Sequence, residues 1–550
     1  MKTNTFSALE RVSINSKLAT EEFDLLIIGG GITGAGIALD ASSRGMKVAL
    51  IEKNDFASGT SSKSTKLIHG GLRYLKQFDF WLVKEVGSER AIVHKLAPHL
   101  VIPEKMVLPL IKGGTYGSWL TSIGLKIYDI LANVEGDDKR KMLSKEEALE
   151  IEPLLPESIL EGAGYYAEYR TDDVRLTLEV LKTALNYSTT ALNYCEALDF
   201  IYEEEKVRGI KALDTITNQG FEIKAKYVVN ATGPWVDELR QINHSKTGKR
   251  LHLTKGVHLV LPREKLPIEH AVYFDIPDGR MMFAIPRGKV TYIGTTDTNF
   301  QEDKNNVEVS STDAMYLISA VNNMFPSIDL SIDDIQSSWA GLRPLIHEEG
   351  KSASELSRKD EIFVSDTELI SIAGGKLTGY RKMAERIVNL VCKKYQNRYD
   401  KKFKDNKTDQ LVLSGGKFKN FKEVQNYQNK IFKQIKPNGF TKIDANYLVY
   451  NYGKQSNIIL EKFSKLKDVN AEIRLAKAEL WFCIQYEMVQ TPLDFFMRRT
   501  GRLYFDIKSV ERLKKSVLEE FVTVFNWNKS TQKKYRKELE QAIFQATNFK

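Results

Sequence analysis

Apolar positions follow two periods along this 550-residue chain, and the change from one to the other divides it. Leu25 to Ile28 is a short, unbroken apolar run ending in glycine, the pattern of a parallel strand buried on both faces. Val48 to Ile51 repeats it. Between them GGGITG leads into Ile37, Ala38 and Ala41, small residues that let a helix lie close on a sheet. Phe80 to Leu96 has helical spacing. Trp119, Leu120, Ile123, Ile127, Ile130 and Leu131 form one apolar stripe within 118–134, which reads as a core-packed helix or as a helix dipping into a bilayer surface. A helix follows TDD over 170–190. Phe200 to Val229 alternates into short strands, with turns at 203–205 and 218–220, and ends in YVVNATGPW.

From about 250 to 365 the period is two, through LTKGVHLVLP, AVYFDIP, RMMFAIPRGKVTYIGTTDT and DEIFVSD. ISIAGG then returns as a strand into a glycine turn, and KLTGYRKMAERIVNLVCKKY opens a helix immediately after it. The lysine- and asparagine-rich stretch after Gln396 reads as a linker. The remainder is helical, with Trp481, Met488 and Phe495 as core, and Arg498 and Arg499 as surface or interdomain pairs. Residues 1–20 read as a short flexible arm. The expected fold class is α/β: a Rossmann-like nucleotide-binding domain (20–95, 166–247, 366–400) interleaved with an antiparallel-sheet domain (96–165, 248–365), plus a C-terminal mostly helical domain (410–550).

Composition changes this picture little. Hydrophobic content of 42% and charged content of 27% are those of an ordinary globular protein. No run is long and apolar enough to span a bilayer, and the first twenty residues lack an apolar signal core, so a cytoplasmic chain is expected. Cys195, Cys392 and Cys483 are far apart and read as buried thiols, neither disulfide frame nor metal site. A formal charge of +9 favours anionic partners. No basic–aromatic patch points to nucleic acid.

The chemistry concentrates at strand ends. Gly29, Gly31 and Gly34 have dinucleotide-binding spacing: a tight turn, bare backbone for a pyrophosphate, and a helix N-terminus. Glu52 ends the second strand 18 positions after Gly34, where a carboxylate accepts from a ribose. This much fits NAD and FAD equally. The following loop is rich in small hydroxylated residues (Thr60, Ser61, Ser62, Ser64) and suits an extended path along a polar cofactor. His69, Arg73 and Tyr74 close it. Ala231 and Gly233 leave room for a ligand beside the strand end after Val229. The helix opening after Gly375 aims its N–H groups and dipole at whatever lies there, with Lys376 at its start.

Taken together, GGGITGAGIALDAS, SSKSTKLIHGGLRYL, VVNATGPWVDEL, LTKGVHLVLP, IGTTDT, WAGLRPL, SRKDE and AGGKLTGYRKMAE resemble the FAD-dependent sn-glycerol-3-phosphate dehydrogenases of the D-amino-acid-oxidase-like flavoproteins. The resemblance spans residues 20–400 and continues more weakly beyond. It implies an FAD-binding domain with the pyrophosphate over Gly29–Gly34, the ribose on Glu52, and the flavin against Ser61–Leu67, including Lys66, and against Gly375–Thr378, including Leu377. It implies a phosphate monoester, glycerol 3-phosphate, held by Arg343, Arg73, Lys376 and Arg358 with Tyr74 as a neutral donor, because an arginine fork matches phosphate oxygens. The proton acceptor should titrate near neutrality, which singles out His69 and His258, with His69 favoured beside the flavin loop. Arg343 stays protonated and serves binding and charge stabilisation.

Oxidases of the family carry a long insertion between the GLRPL and SR segments, whereas Pro344 and Ser357 here are close. The implied acceptor is therefore membrane quinone, and the implied location is peripheral, on the inner face of the cytoplasmic membrane. A homodimer is compatible with this. The alternatives are an oxidase using oxygen and a non-catalytic flavin-binding module.

Overall fold

The computed structural model describes residues 6–68, 80–114, 140–347, 360–468 and 470–549. Its nucleotide-binding sheet runs, in order, Asp360–Val364, Ile370–Gly374, Gln219–Asn230, Glu22–Ile28, Val48–Ile51 and Thr189–Leu192. The last five are parallel neighbours. Antiparallel strands Cys195–Glu203 and Lys206–Asp214 extend the sheet beside the first half of Gln219–Asn230. Leu25, Leu26 and Ile27 are fully buried because helices cover both faces, as the unbroken apolar run requires.

The helix Ile32–Ser43 crosses the first strand at very short range. A methyl group on Gly34 would lie 1.9 Å from the carbonyl oxygen of Gly29, and Gly29 itself has φ +114°. Only glycine permits both, so the turn, the strand end and the helix N-terminus are locked together.

The second sheet is mostly antiparallel. It runs from Thr298–Asn299 through Leu251–Pro262, Val290–Gly294, Met281–Arg287, Ala271–Asp275, Ile102–Ile111 and Leu160–Arg170 to Leu67–Ile68. Ser337–Ile346 pairs with Leu251–Pro262 along the whole of its length. The two sheets are interleaved in sequence, as expected, and Leu67–Ile68 carries the polar loop from one into the other. The helices Phe80–Leu96 and Asp173–Ala184 lie where the periodicity predicts them. The apolar stripe at 118–134 lies outside the described residues.

The C-terminal region is helical from Phe421–Ile435 to Lys529–Thr547 around its own core, which includes Phe495 and Cys483. It is fastened to the nucleotide domain by buried charges. Arg175 donates to both oxygens of Glu487 at 2.7 and 2.8 Å and to Glu179 at 2.6 Å, and Lys182 donates to Glu487 at 2.9 Å.

Residues 6–20, the described part of the expected arm, are ordered against the nucleotide domain. Arg11–Thr20 is a helix whose inward face includes Arg11 and Asn15, both bonded to Asp214, beside Ile14 and Leu18. That polar anchoring erased the apolar stripe which would have announced the helix. Cys195 and Cys483 are buried free thiols, whereas Cys392 is partly exposed.

Gly34→Ala forces the added methyl onto the Gly29 carbonyl. The expected cost is about 3 kcal/mol, the upper end of ordinary overpacking, read by thermal unfolding with circular dichroism. Melting within a degree of the parent would show slack in the crossing.

Candidate functional site

Three neighbouring parallel strands run to one edge, in the registers Ile28↔Asn230 and Asn230↔Ser371, with the third continuing to Gly374. The loops that follow them, beginning at Gly29, Ala231 and Gly375, therefore leave the sheet at one edge and line one cleft. Glu52, at the end of the neighbouring strand, accepts from the amides of Gly30 at 2.8 Å and Asn54 at 2.9 Å. Burial raises its carboxyl pKa, and those two amides oppose the rise. The Gly31 turn opens the helix Ile32–Ser43 onto the cleft, and the Ile32 amide is capped from outside by Ser61 Oγ at 3.0 Å. This is the geometry of an anion site at a helix N-terminus.

The polar loop forms the next wall. Thr60 donates to the Leu342 carbonyl at 2.7 Å, joining the loop to the strand Ser337–Ile346. Ser64 donates to Asp173 at 2.7 Å. Lys66 is buried at φ +57°, with its ammonium on Asp173 at 2.5 Å and on the Ser62 carbonyl at 3.1 Å. Asp172 caps the helix Asp173–Ala184 and pairs with Arg287 at 2.9 Å. Despite burial, Lys66 and Arg287 pull its carboxyl down to about 2.

The second sheet supplies the opposite wall. His258 faces Trp339 across a strand pair and stacks on it, with centroids 4.8 Å apart and 11° between planes. Its Nε2 is 3.0 Å from Thr65 Oγ1, while its Nδ1 is buried without a hydrogen-bond partner. Burial, then the charges of Arg343 and Lys66, hold its pKa well below 6.5, so the ring is neutral. Arg343 donates to the Thr296 carbonyl at 3.0 Å and to Thr295 Oγ1 at 2.8 Å, and pairs with Asp297 at 3.3 Å. Its guanidinium lies over Gly256, where a Cβ would come within 2.3 Å of Nη2.

Of the residues singled out in the sequence, Gly29, Gly31, Glu52, Thr60, Ser61, Ser64, Leu67, Ala231, Gly233, His258, Arg343, Gly375, Lys376, Leu377 and Thr378 line this one cleft. Gly34 is buried beneath the turn, and Ser62 and Lys66 support the loop from behind. His69, Arg73, Tyr74 and Arg358 lie outside the described residues. Sequence reasoning counted Thr65 among the hydroxyls of the cofactor loop without foreseeing its contact with His258, and it gave no role to Lys63, Trp235 or the Asp172–Asp173 pair. Lys63 lines the cleft, and burial, with Arg498 next, lowers its pKa to about 8. It stands amid the chosen hydroxyl residues, where an extra cation was the available signal. TDD was read only as a helix start.

A nucleotide turn, an acid at the next strand end and a second sheet facing the cleft with an arginine and a histidine define a dinucleotide-dependent oxidoreductase of the flavin type. Residues 24–374 match the FAD dependent oxidoreductase family, and residues 406–532 match the C-terminal domain of alpha-glycerophosphate oxidase. Aerobic glycerol-3-phosphate dehydrogenase of Bacillus subtilis is 49% identical over 99% of both chains, and that of Staphylococcus haemolyticus is 48% identical over 98% of both. The crystal structure of glycerol-3-phosphate dehydrogenase from Bacillus halodurans, complexed with FAD, superposes with a TM-score of 0.85 at 42% identity over 99% of both chains. L-alpha-glycerophosphate oxidase from Mycoplasma pneumoniae shares the fold over 70% of this chain and 97% of its own, at 20% identity and a TM-score of 0.55. The chain belongs to the FAD-dependent oxidoreductases and, within them, to the aerobic glycerol-3-phosphate dehydrogenases. Its cofactor is FAD. The cleft fits it: a strand-end carboxylate oriented by two backbone amides, a helix N-terminus and bare glycine backbone meet the demands of ribose and pyrophosphate.

Asp173→Asn removes the carboxylate that neutralises buried Lys66. The expected cost is about 3–5 kcal/mol in denaturant unfolding, part of it recovered by adding Lys66→Met. A loss below about 1 kcal/mol would show that the loop does not depend on this pair.

Proposed function

We propose that this enzyme oxidises sn-glycerol 3-phosphate at C2 to dihydroxyacetone phosphate. When bound, FAD accepts the C2 hydride at N5 and passes the electrons to a membrane quinone. The observation that carries the reading is that Arg343, His258 and Lys376 line the same cleft as the Gly29–Gly31 turn. A phosphate monoester needs fixed cations, and Arg343 is held in place by Thr295, Thr296 and Asp297. Lys376, at the start of the turn Leu377–Gly379, adds a second cation beside a helix opening.

His258 is neutral and so able to take a proton. It shares the acceptor role with His69 in this proposal, and Arg343 stabilises the charge that develops on oxygen as the hydroxyl proton leaves. The family resemblance assigns Arg73, Tyr74 and Arg358 to the phosphate as well. Among the described residues no helix is long and apolar enough to cross a membrane. The reading therefore places the chain on the inner face of the cytoplasmic membrane through surface contacts, aided by its net charge of +9.

Anaerobic addition of glycerol 3-phosphate should bleach the flavin absorbance, while glycerol and a D-amino acid should not. A yellow flavin after glycerol 3-phosphate would overturn the assignment. Turnover with a quinone analogue and little peroxide in air is expected, and stoichiometric peroxide would favour the oxidase. Arg343→Ala should raise KM for glycerol 3-phosphate roughly 30- to 150-fold, matching the loss of a charge-assisted bond of about 2–3 kcal/mol, with FAD retained. Unchanged KM would remove Arg343 from the phosphate site.

A further inference from the structure

The segment that carries Glu52 is held from two sides. On one side it grips the nucleotide turn: Glu52 accepts from the Gly30 amide at 2.8 Å, and the Ala57 amide donates to the Gly30 carbonyl at 3.0 Å. Between these two contacts lies Asp55, fully buried and pointing the other way, into the C-terminal domain. Arg499 grips its two oxygens at 2.6 and 2.8 Å, and Arg498 Nε donates to it at 2.6 Å. Asn193 adds a fourth bond at 2.9 Å.

Two consecutive arginines reach one carboxylate because the chain there is a π-helical turn, Asp494–Arg499. Such a turn is wider than an α-helix and is found disproportionately at functional sites. Each arginine is tied back into its own domain. Arg498 also pairs with Asp494 at 2.5 Å, and Arg499 donates to the Glu487 carbonyl at 2.7 Å. Asp494 in turn accepts from Tyr194 at 2.7 Å, whose amide bonds to the Asn54 carbonyl at 2.8 Å. These arginine contacts are all buried, so none of them can be exchanged for water without loss.

We infer that Arg498 and Arg499 are positioning residues for FAD: acting through Asp55, they hold the segment 52–57 against the Gly30 turn, so that docking of the C-terminal helical domain and FAD binding are coupled. Glu52 meets the ribose only if its backbone is fixed, and the arginine pair fixes it from 443 residues away in sequence. Coupling of this kind is reciprocal: FAD tightens the π-turn as much as the π-turn tightens the FAD site. The inference rests on FAD binding in this cleft.

The test compares Arg498→Gln with Arg502→Gln. Arg502 forms a partly buried bond of 3.0 Å to Glu479 within the same domain and none to Asp55, so its loss weakens the domain without touching the proposed route. FAD affinity of the reconstituted apoproteins is read by flavin fluorescence, and stability separately by thermal melting. Arg498→Gln should raise the FAD Kd about tenfold, and hydrogen exchange of residues 52–57 should quicken. Arg502→Gln should lower the melting temperature with the FAD Kd unchanged. Arg498→Lys, which keeps the charge and loses one bond, should fall between parent and Arg498→Gln, and it serves in its place should that variant not fold. Unchanged FAD affinity in the Arg498 variants would overturn the inference, as would a loss in Arg502→Gln of the same size. Failure of the parent apoprotein to bind FAD at all would instead overturn the reading of the cleft.

Discussion

The structure depends on a crossing of backbone with backbone. Where the helix Ile32–Ser43 passes the end of the first strand, Gly34 and the Gly29 carbonyl leave no space for even one methyl group. That crossing sets where the helix N-terminus points, and so where a pyrophosphate can sit. The edge of the parallel sheet then supplies the other loops at the same level, because a parallel sheet ends all its strands in one direction. The second sheet is added opposite this edge, and its Arg343 and His258 line the same cleft.

Around the crossing, the chain relies on buried charge to an uncommon degree. Asp55 with Arg498 and Arg499, Glu487 with Arg175 and Lys182, Asp173 with Lys66, and Asp214 with Arg11 are all removed from solvent. A buried ion costs several kcal/mol in lost hydration, recovered only when its partner's geometry is good. Stability from such pairs is therefore small, but their geometry is strict. Apolar surfaces can slide past one another. A bidentate pair cannot, and the pairs stand where helix meets sheet and domain meets domain.

This explains what was legible in the sequence. Apolar periodicity exposed the parallel strands, the antiparallel sheet and the helical C-terminal region, because each of these buries a continuous apolar surface. The glycine turn and Glu52 were legible because their chemistry needs particular residues at fixed short spacing. The helix Arg11–Thr20 was hidden, since Arg11 and Asn15 occupy its inward face and their partner Asp214 lies some 200 positions away. Lys66 was placed at the flavin by resemblance, as part of Ser61–Leu67; its ammonium turns to Asp173, 107 positions on. Asp55 carried no local signal at all. Side chains whose partner is distant in sequence leave no trace in spacing, and in this chain those partners are mostly charged.

The same charges bear on proton movement in the cleft. Burial lowers the proton affinity of His258, and the charges of Arg343 and Lys66 lower it further. Taken alone, this weakens the imidazole as a base. Yet positive charge that disfavours an imidazolium favours an alkoxide to a comparable degree, because both effects are the same field acting on neighbouring atoms. In a cation-lined cleft the hydroxyl of a bound phosphate ester would give up its proton more readily, and on the proposed reading the ester's own phosphate would partly offset the field at His258. On the same reading, a phosphate seated in the cleft would raise the proton affinity of the histidine and bring a ring held neutral beforehand toward the range in which a general base works.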